Sequence, residues 1–402
     1  MTNLLQGVRV LELAVLLNGD TVGMHLGDLG ADVIKVESPP HGDYLRYFLG
    51  QVVPGVSVAH AQVNRNKRSV LLDLSNDSDR DQFLELVDTA EIVVDGNLPG
   101  VCERLGVGAD VLLARKPSLV YVQHSGFGAT APYASIPTHG VLMNALAGAC
   151  LLAVDEDGLV TRRPPERPGA EMGGEATSVG ALHAVTHALA AVLRARATGG
   201  GAYIDVAASD AVIATAWLPT VLALNDEQIT DRSGMAEMDG TQLSGSRYQF
   251  YETSDGRFVL FGCIEQRFWD RWALAIDRPD MVGRVGNGGN AEVEWGDRTE
   301  RLEIAEIMRS RTQAEWVKLA AACRFALAPA YQKPDEVISD PQIAARNVFV
   351  SAEHPLAGPI SLVGAAAVVD GAGFRVRRHA PSPGEHTAEV LAEIEKKDAP
   401  HG

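Results

Sequence analysis

The stretch NRNKRSVLLDL, residues 64 to 74, sets three cations, Arg65, Lys67 and Arg68, within four positions ahead of an apolar run. Cations so grouped can hold a phosphate or carboxylate through charge-assisted hydrogen bonds, or simply make a solvated turn before a strand. The chain around them is acidic, with a formal net charge of −17 at pH 7. A basic trio in that setting points to a local anion site. His183 and His187 stand four apart in an alanine-rich run, a spacing that two metal ligands on one helix face would share. No third ligand lies nearby in sequence, so they read as core histidines and no metal site is expected. Cys102, Cys150, Cys263 and Cys323 lie far apart with no CxxC pair, as expected of reduced thiols in a cytosolic protein. GxGxxG after the first strand, the Walker loop and HExxH are all absent, so the usual nucleotide and metal signatures are missing.

The elements that must position these residues alternate. VRVLEL (8–13), ADVIKVE (31–37), RSVLLDL (68–74) and EIVVDG (91–96) read as strands. TVGMHLGDLG (21–30) has helical spacing closed by Gly30, and DSDRDQFLELVDTA (77–90) is an amphipathic helix with acidic residues in its first turn. Strand, helix, strand at this spacing predicts βαβ units and a parallel sheet. PSLVYVQHSGFG (117–128) adds a strand ending in a glycine-rich loop, and the alanine-rich run 176–196 predicts a long buried helix. In an open α/β sheet, ligands bind at the carboxyl ends of the strands, where PPHGD, NLPG and SGFG fall. Residues 226–246 are polar and glycine-containing, as in a linker; RYQFYETSDGRFVLFGC (247–263) predicts a hairpin turning at Ser254-Asp255-Gly256. Helices near 265–276, 298–310 and 312–323 follow, in a packing style that predicts a smaller α+β domain. The expected division is 1–225, a linker at 226–246, a small domain at 247–328, and a return to the large domain over 329–402.

A chain of 402 residues with 46% hydrophobic and 22% charged residues carries a substantial core. Its acidity argues against nucleic acid as a partner, because phosphate backbones demand a broad basic face. The first residues lack the basic start and long apolar run of a signal peptide, and no apolar run reads as long enough to span a bilayer. A cytoplasmic protein with no membrane partner is the expectation.

Taken in order, GVRVLEL, LGDLGADVIKVESPPHGD, NRNKRSVLLDL, NLPGVCERLG, SGFGATAPYA and the closing GEHTAEVL (384–391) closely resemble the family III coenzyme A transferases. That family includes carnitine-type and formyl-CoA transferases and the α-methylacyl-CoA racemases. The resemblance runs from about residue 6 to 391. It implies a Rossmann-like large domain built from both chain ends, a small inserted α+β domain, and two such chains interlocked as rings in a homodimer. It also implies acyl-CoA and a carboxylic acid as substrates, with no permanently bound cofactor. CoA carries three phosphate groups, and the resemblance assigns Arg104 to hold them. Arg65, Lys67 and Arg68 share that role or form buried pairs, and Asn97 of NLPG joins the CoA-binding set. Asp20 departs from the family, where proline is usual.

The family mechanism uses an aspartate at the start of the long alanine-rich helix as a nucleophile on the thioester. No aspartate occurs between Asp157 and Asp205. Counting back from LAAVLRARATG puts the family position at 176–177, and the nearest carboxylates are Glu175 and Glu171. Insertions fit more easily in the preceding loop than inside a helix, so Glu175 is the expected nucleophile. His139 matches a racemase base, although the aspartate that follows it there is Gly140 here. Three activities stay open: CoA transfer through Glu175, racemisation by His139 and Glu175 as opposed bases, and a non-catalytic CoA-binding subunit.

Overall fold

In the computed structural model, residues 3–150, 152–162, 175–231, 245–284 and 298–398 are described. Six strands rich in valine, leucine and isoleucine, β1 (Arg9–Leu13), β2 (Asp32–Glu37), β3 (Lys67–Leu71), β4 (Ile92–Asp95), β5 (Val120–Ser125) and β6 (Ala202–Ala207), form one sheet. Every pairing in it is parallel, with Leu11 opposite Ile34 on one side and Val93 on the other. Parallel strands are covered on both faces, which is why they read as continuous apolar runs. One face packs under α2 (Asp77–Thr89) through Phe83, Leu86 and Val87. The other packs under α1 (Leu16–Asp28) and α3 (Glu175–Thr198). Alanines 181, 184, 188 and 191 of α3 face that core at helical spacing. By length and composition α3 is apolar enough to cross a membrane, yet half of its most apolar window is buried within the protein, as in a core helix.

The strand order is β6-β5-β4-β1-β2-β3. The chain moves outward from β1 to β3, crosses back to β4 beside β1, and then moves outward the other way. The crevice at that reversal, between the carboxyl ends of β1 and β4, is where doubly wound sheets take ligands. Here the two following loops touch: a Cβ on Gly96 would lie 2.8 Å from the Gly19 Cα, so both positions need glycine. Helix α1 begins at Leu16, five residues before the sequence signal at 21, because Leu16 turns the chain at φ 61° directly after β1. Helix α3 is followed through β6 by α4 (Ala208–Thr215) and α5 (Trp217–Leu224).

The chain divides into two compact units, Met1–Val221 with Pro341–Gly402, and Leu222–Asp340. Most of the linker expected at 226–246 lies outside the described residues. In the second unit an antiparallel sheet, β7 (Tyr248–Glu252), β8 (Phe258–Gly262) and β9 (Leu327–Ala330), carries the expected hairpin. Helices α6 (Gln266–Ala275), α7 (Arg298–Met308) and α8 (Gln313–Cys323) pack on it. Trp269, Trp272 and Trp316 are fully buried in that core, with the Phe261 and Trp272 rings 4.7 Å apart. The closing GEHTAEVL returns to the first unit and leads into α9 (Thr387–Asp398). There it covers the edge strand β3: the His386 amide donates to Ser69 O at 2.9 Å and the Leu71 amide to Thr387 Oγ1 at 3.1 Å.

Candidate active site

A pocket of about 370 Å³ opens at the carboxyl end of β1. Leu16, Leu17 and Asn18 supply one wall, and the segment from Tyr44 to Leu49 a second. Thr138, His139, Gly140 and Met143 supply a third, and Thr177 in the first turn of α3 closes it. The lining is mostly hydrocarbon and contains no lysine or arginine among the described residues. Its shape depends on one carboxylate behind the wall. Asp43 accepts from the Leu16 amide at 3.2 Å and from the Leu45 amide at 2.8 Å, tying the loop after β1 to the turn at 44–47. That bond also steadies the left-handed backbone of Leu16, a conformation costly outside glycine. On the opposite wall Gly126 lets the His139 loop close in, since a Cβ there would lie 2.1 Å from Thr138 Oγ1.

Behind this pocket lies a buried network of charges. Lys67 Nζ donates to both Glu12 oxygens at 2.7 and 2.8 Å, to Asp20 O at 2.9 Å and to Asn64 Oδ1 at 3.0 Å. Lys35 pairs with Asp20 and, at 3.0 Å, with Asp43. Arg46 makes a two-pronged pair with Glu37, its second prong at 3.0 Å, and Ser69 also donates to Glu37. All of these charged side chains are essentially inaccessible to solvent. Burial pushes the Asp20 carboxyl well above its usual value, against the pull of Lys35. Burial acts the same way on Asp43 and Glu37, but is outweighed: Lys35 and donated hydrogen bonds hold Asp43 down, and the Arg46 hydrogen bond and Lys35 hold Glu37 down. Lys35, Lys67 and Arg46 face Glu12, Glu37 and Asp43 in this network, while burial favours the neutral form of Asp20. His60 beside them is driven down to about 2 by burial and by Arg46, so it stays neutral.

Of the two roles left open for the basic trio, phosphate contact and buried pairing, the geometry shows the pairing. Arg65 makes a two-pronged pair with Asp28 at 3.0 and 2.6 Å and donates to Gln62 O. Lys67 belongs to Glu12. Arg68 binds Asp32 at 2.9 and 2.6 Å and reaches Glu389 and Glu393 on α9. The three side chains are nearly inaccessible, and the structural pairing considered as the alternative holds for all of them. Asn97 is also engaged: its amide donates to Leu13 O and to Asp95 Oδ1, both at 2.9 Å, fixing the loop after β4. Arg104 differs. It ends a one-turn helix, Val101–Arg104, is exposed, and has no ion pair among the described residues.

His139 lies in the pocket wall, with its ring exposed. Glu175 is the first residue of α3 and is exposed, while Glu171 lies outside the described residues. Between Glu175 and the pocket, the Ala176 amide donates to Asn144 Oδ1 at 3.0 Å. Thr177, 5% exposed, is the α3 residue that faces the cavity. Sequence reasoning did not single out Thr177, although the backward count ending at 176–177 reaches it. It also missed the apolar wall from Leu16 to Leu49, whose residues carry no chemical signature. His183 and His187 join no metal-ligand cluster among the described residues; His187 Nδ1 lies 2.8 Å from His183 O.

Comparison with known proteins agrees with this architecture. The sequence profile described as CoA-transferase family III matches residues 5–387. Human succinyl-CoA:glutarate CoA-transferase is 27% identical over 397 residues, covering 98% of this chain and 86% of that protein. Acetyl-CoA:oxalate CoA-transferase of Acetobacter aceti is 36% identical over 346 residues, covering 86% and 85% respectively. The crystal structure of a CAIB/BAIF family protein from Brucella suis superposes with a TM-score of 0.72 at 25% identity, over 97% of this chain and 99% of that one.

Proposed function

The chain belongs to CoA-transferase family III, and on that premise we propose that it moves coenzyme A from an acyl-CoA donor to a carboxylic acid through a thioester on Glu175. The observation that carries this reading is the pocket at the carboxyl end of β1, whose lining includes Thr177 in the first turn of the helix that Glu175 begins. In the proposed sequence the Glu175 carboxylate attacks the thioester carbonyl and the CoA thiolate leaves, giving a mixed anhydride. The thiolate then attacks the carboxyl carbon of Glu175, releasing the donor acid and leaving enzyme-bound CoA thioester. The acceptor acid repeats these steps in reverse. The amides at the start of α3 favour negative charge there. Arg104, exposed and without an ion pair among the described residues at the end of the one-turn helix after β4, is the proposed phosphate contact.

The position of Thr177 favours a second reading. It stands where the helix count puts the family carboxylate, and it shares the cavity with His139. If Glu175 does not reach the acyl carbon, His139 is the base that remains, and proton exchange beside the thioester carbonyl is the chemistry it can do.

Peptide mass spectrometry after incubation with a panel of acyl-CoAs separates the readings. Transfer predicts a hydroxylamine-sensitive CoA adduct on Glu175, abolished together with CoA exchange in Glu175→Gln. No adduct, with solvent deuterium entering the α-position and stopped by His139→Ala, replaces transfer with proton exchange. Neither signal, with CoA still bound, makes the chain a non-catalytic CoA-binding subunit. An adduct on Glu171 keeps transfer and moves the nucleophile.

A homodimer is part of the proposal. Helix α5 shows solvent an apolar surface, with Trp217 55%, Leu218 53% and Leu224 75% exposed, of the kind a partner covers. Sedimentation should give a dimer that persists on dilution to micromolar concentration; a monomer there removes this part.

A further inference from the structure

We infer that the pocket takes an acyl group that is apolar and uncharged, and disfavours one ending in a second carboxylate; the inference rests on the CoA reading above. Leu17, Leu45, Phe48 and Met143 line it with hydrocarbon, and its polar members Asn18, Tyr44, Thr138 and Thr177 are neutral. His139 is the lining residue able to carry positive charge, and it lies at the exposed side.

Two cations beside the lining segments, Lys35 on β2 and Arg46 in the turn at 44–47, are already engaged. Lys35 is enclosed by Asp20, Asp43 and Glu12, and Arg46 by Glu37. The charge that touches the pocket's backbone is negative, because Asp43 accepts the amides of two lining residues, Leu16 and Leu45. A carboxylate entering this site would lose hydration, find no lysine or arginine among the described lining residues, and meet a like charge behind the wall. A hydrocarbon end loses nothing by entering. About 370 Å³ gives room on the order of a dozen heavy atoms at about 30 Å³ each, which fits a short or branched acyl chain with its thioester. This acyl class departs from the relatives named for glutarate and oxalate.

Isovaleryl-CoA and glutaryl-CoA have acyl groups of equal carbon count and differ in the terminal carboxylate, so calorimetric titration of the full chain with each, and with CoA, tests the inference. Isovaleryl-CoA should bind at least about tenfold tighter than glutaryl-CoA, a modest discrimination for a desolvated charge. Phe48→Arg places a cation at an exposed lining position and should bring the two affinities to within about threefold. Equal affinities, or tighter glutaryl-CoA, in the unaltered protein overturn the acyl class while leaving CoA binding intact. Failure of all three ligands, CoA included, overturns the CoA reading and this inference with it. The unaltered protein decides the matter if Phe48→Arg does not fold.

Discussion

The charge network and the apolar pocket share a wall, yet they treat charge in opposite ways. Behind the wall, Lys67, Lys35 and Arg46 are matched by carboxylates at hydrogen-bond distance and closed to solvent. In front of it, Leu16, Leu17, Leu45 and Leu49 offer no charge to a ligand. Asp43 joins the two, its carboxylate in the network and its accepted amides in the pocket wall. Basic residues in a binding family are therefore no guide to binding by themselves. Burial decides whether a cation stabilises the fold or meets a substrate.

The largest effect should come from breaking the network. Lys67→Met removes the closer cation of buried Glu12, leaving Lys35 at 3.5 Å, and should cost about 3–5 kcal/mol, read from chemical denaturation. Adding Glu12→Gln should recover much of that loss, because the penalty lies in the unpaired charge. A loss below about 1 kcal/mol for Lys67→Met would mean that water reaches the site and the contrast fails.

Next in size is the exposed arginine. Arg104→Ala should weaken CoA binding about tenfold, the scale of a lost hydrogen bond to a charged group. The affinity of the unaltered protein should fall as salt rises, since an exposed contact is screened. Unchanged CoA affinity in a folded Arg104→Ala protein would remove Arg104 from the phosphate site.

The smallest effect concerns Asp20. Burial raises its folded carboxyl well above the usual value against the pull of Lys35, so Asp20→Asn, which keeps the shape without the charge, should cost about 1 kcal/mol or less at pH 7. The pH dependence sharpens the point. Asp43 and Glu37 are depressed when folded; their contribution is fully present above the unfolded values near pH 4 and is lost as pH falls through the folded ones. Asp20 works in the other direction, withdrawing stability as pH rises from its unfolded value toward its raised folded one. Asp20→Asn removes that loss, so between about pH 4 and pH 7, where Asp43 and Glu37 already contribute in full, stability should fall less with rising pH than in the unaltered protein. An unchanged pH dependence in that window would show that Asp20 is not raised in the folded protein.

The βα alternation was legible because parallel strands and amphipathic helices each carry their own period, and the hairpin of the second unit was legible from its Ser-Asp-Gly turn. The fate of Arg65, Lys67 and Arg68 was not. Their partners Asp28, Glu12 and Asp32 come from strands and helices more than thirty residues away, and no local pattern distinguishes a buried cation from an exposed one. The early start of α1 was hidden for a related reason: Leu16 adopts its turn because Asp43 receives its amide. His139, now seen in the pocket wall, was singled out through its motif, whereas Thr177 was hidden because the expectation there was of a carboxylate. The pocket's leucines carry no chemical group to search for, and only the fold gathers them.

The closing motif has a consequence during synthesis. Ser69 and His386 bond across 317 positions of sequence, so at about 5–20 residues per second the ribosome delivers the second partner on the order of half a minute after the first. In that interval β3 lies at the rim of a growing sheet with its outward backbone groups unpaired, while residues 222–340 emerge and collapse on their own tryptophans. A nascent chain is thus prone to stick to its neighbours until the closing motif emerges. One cut short ahead of Gly384 would keep that open rim for as long as it lasted.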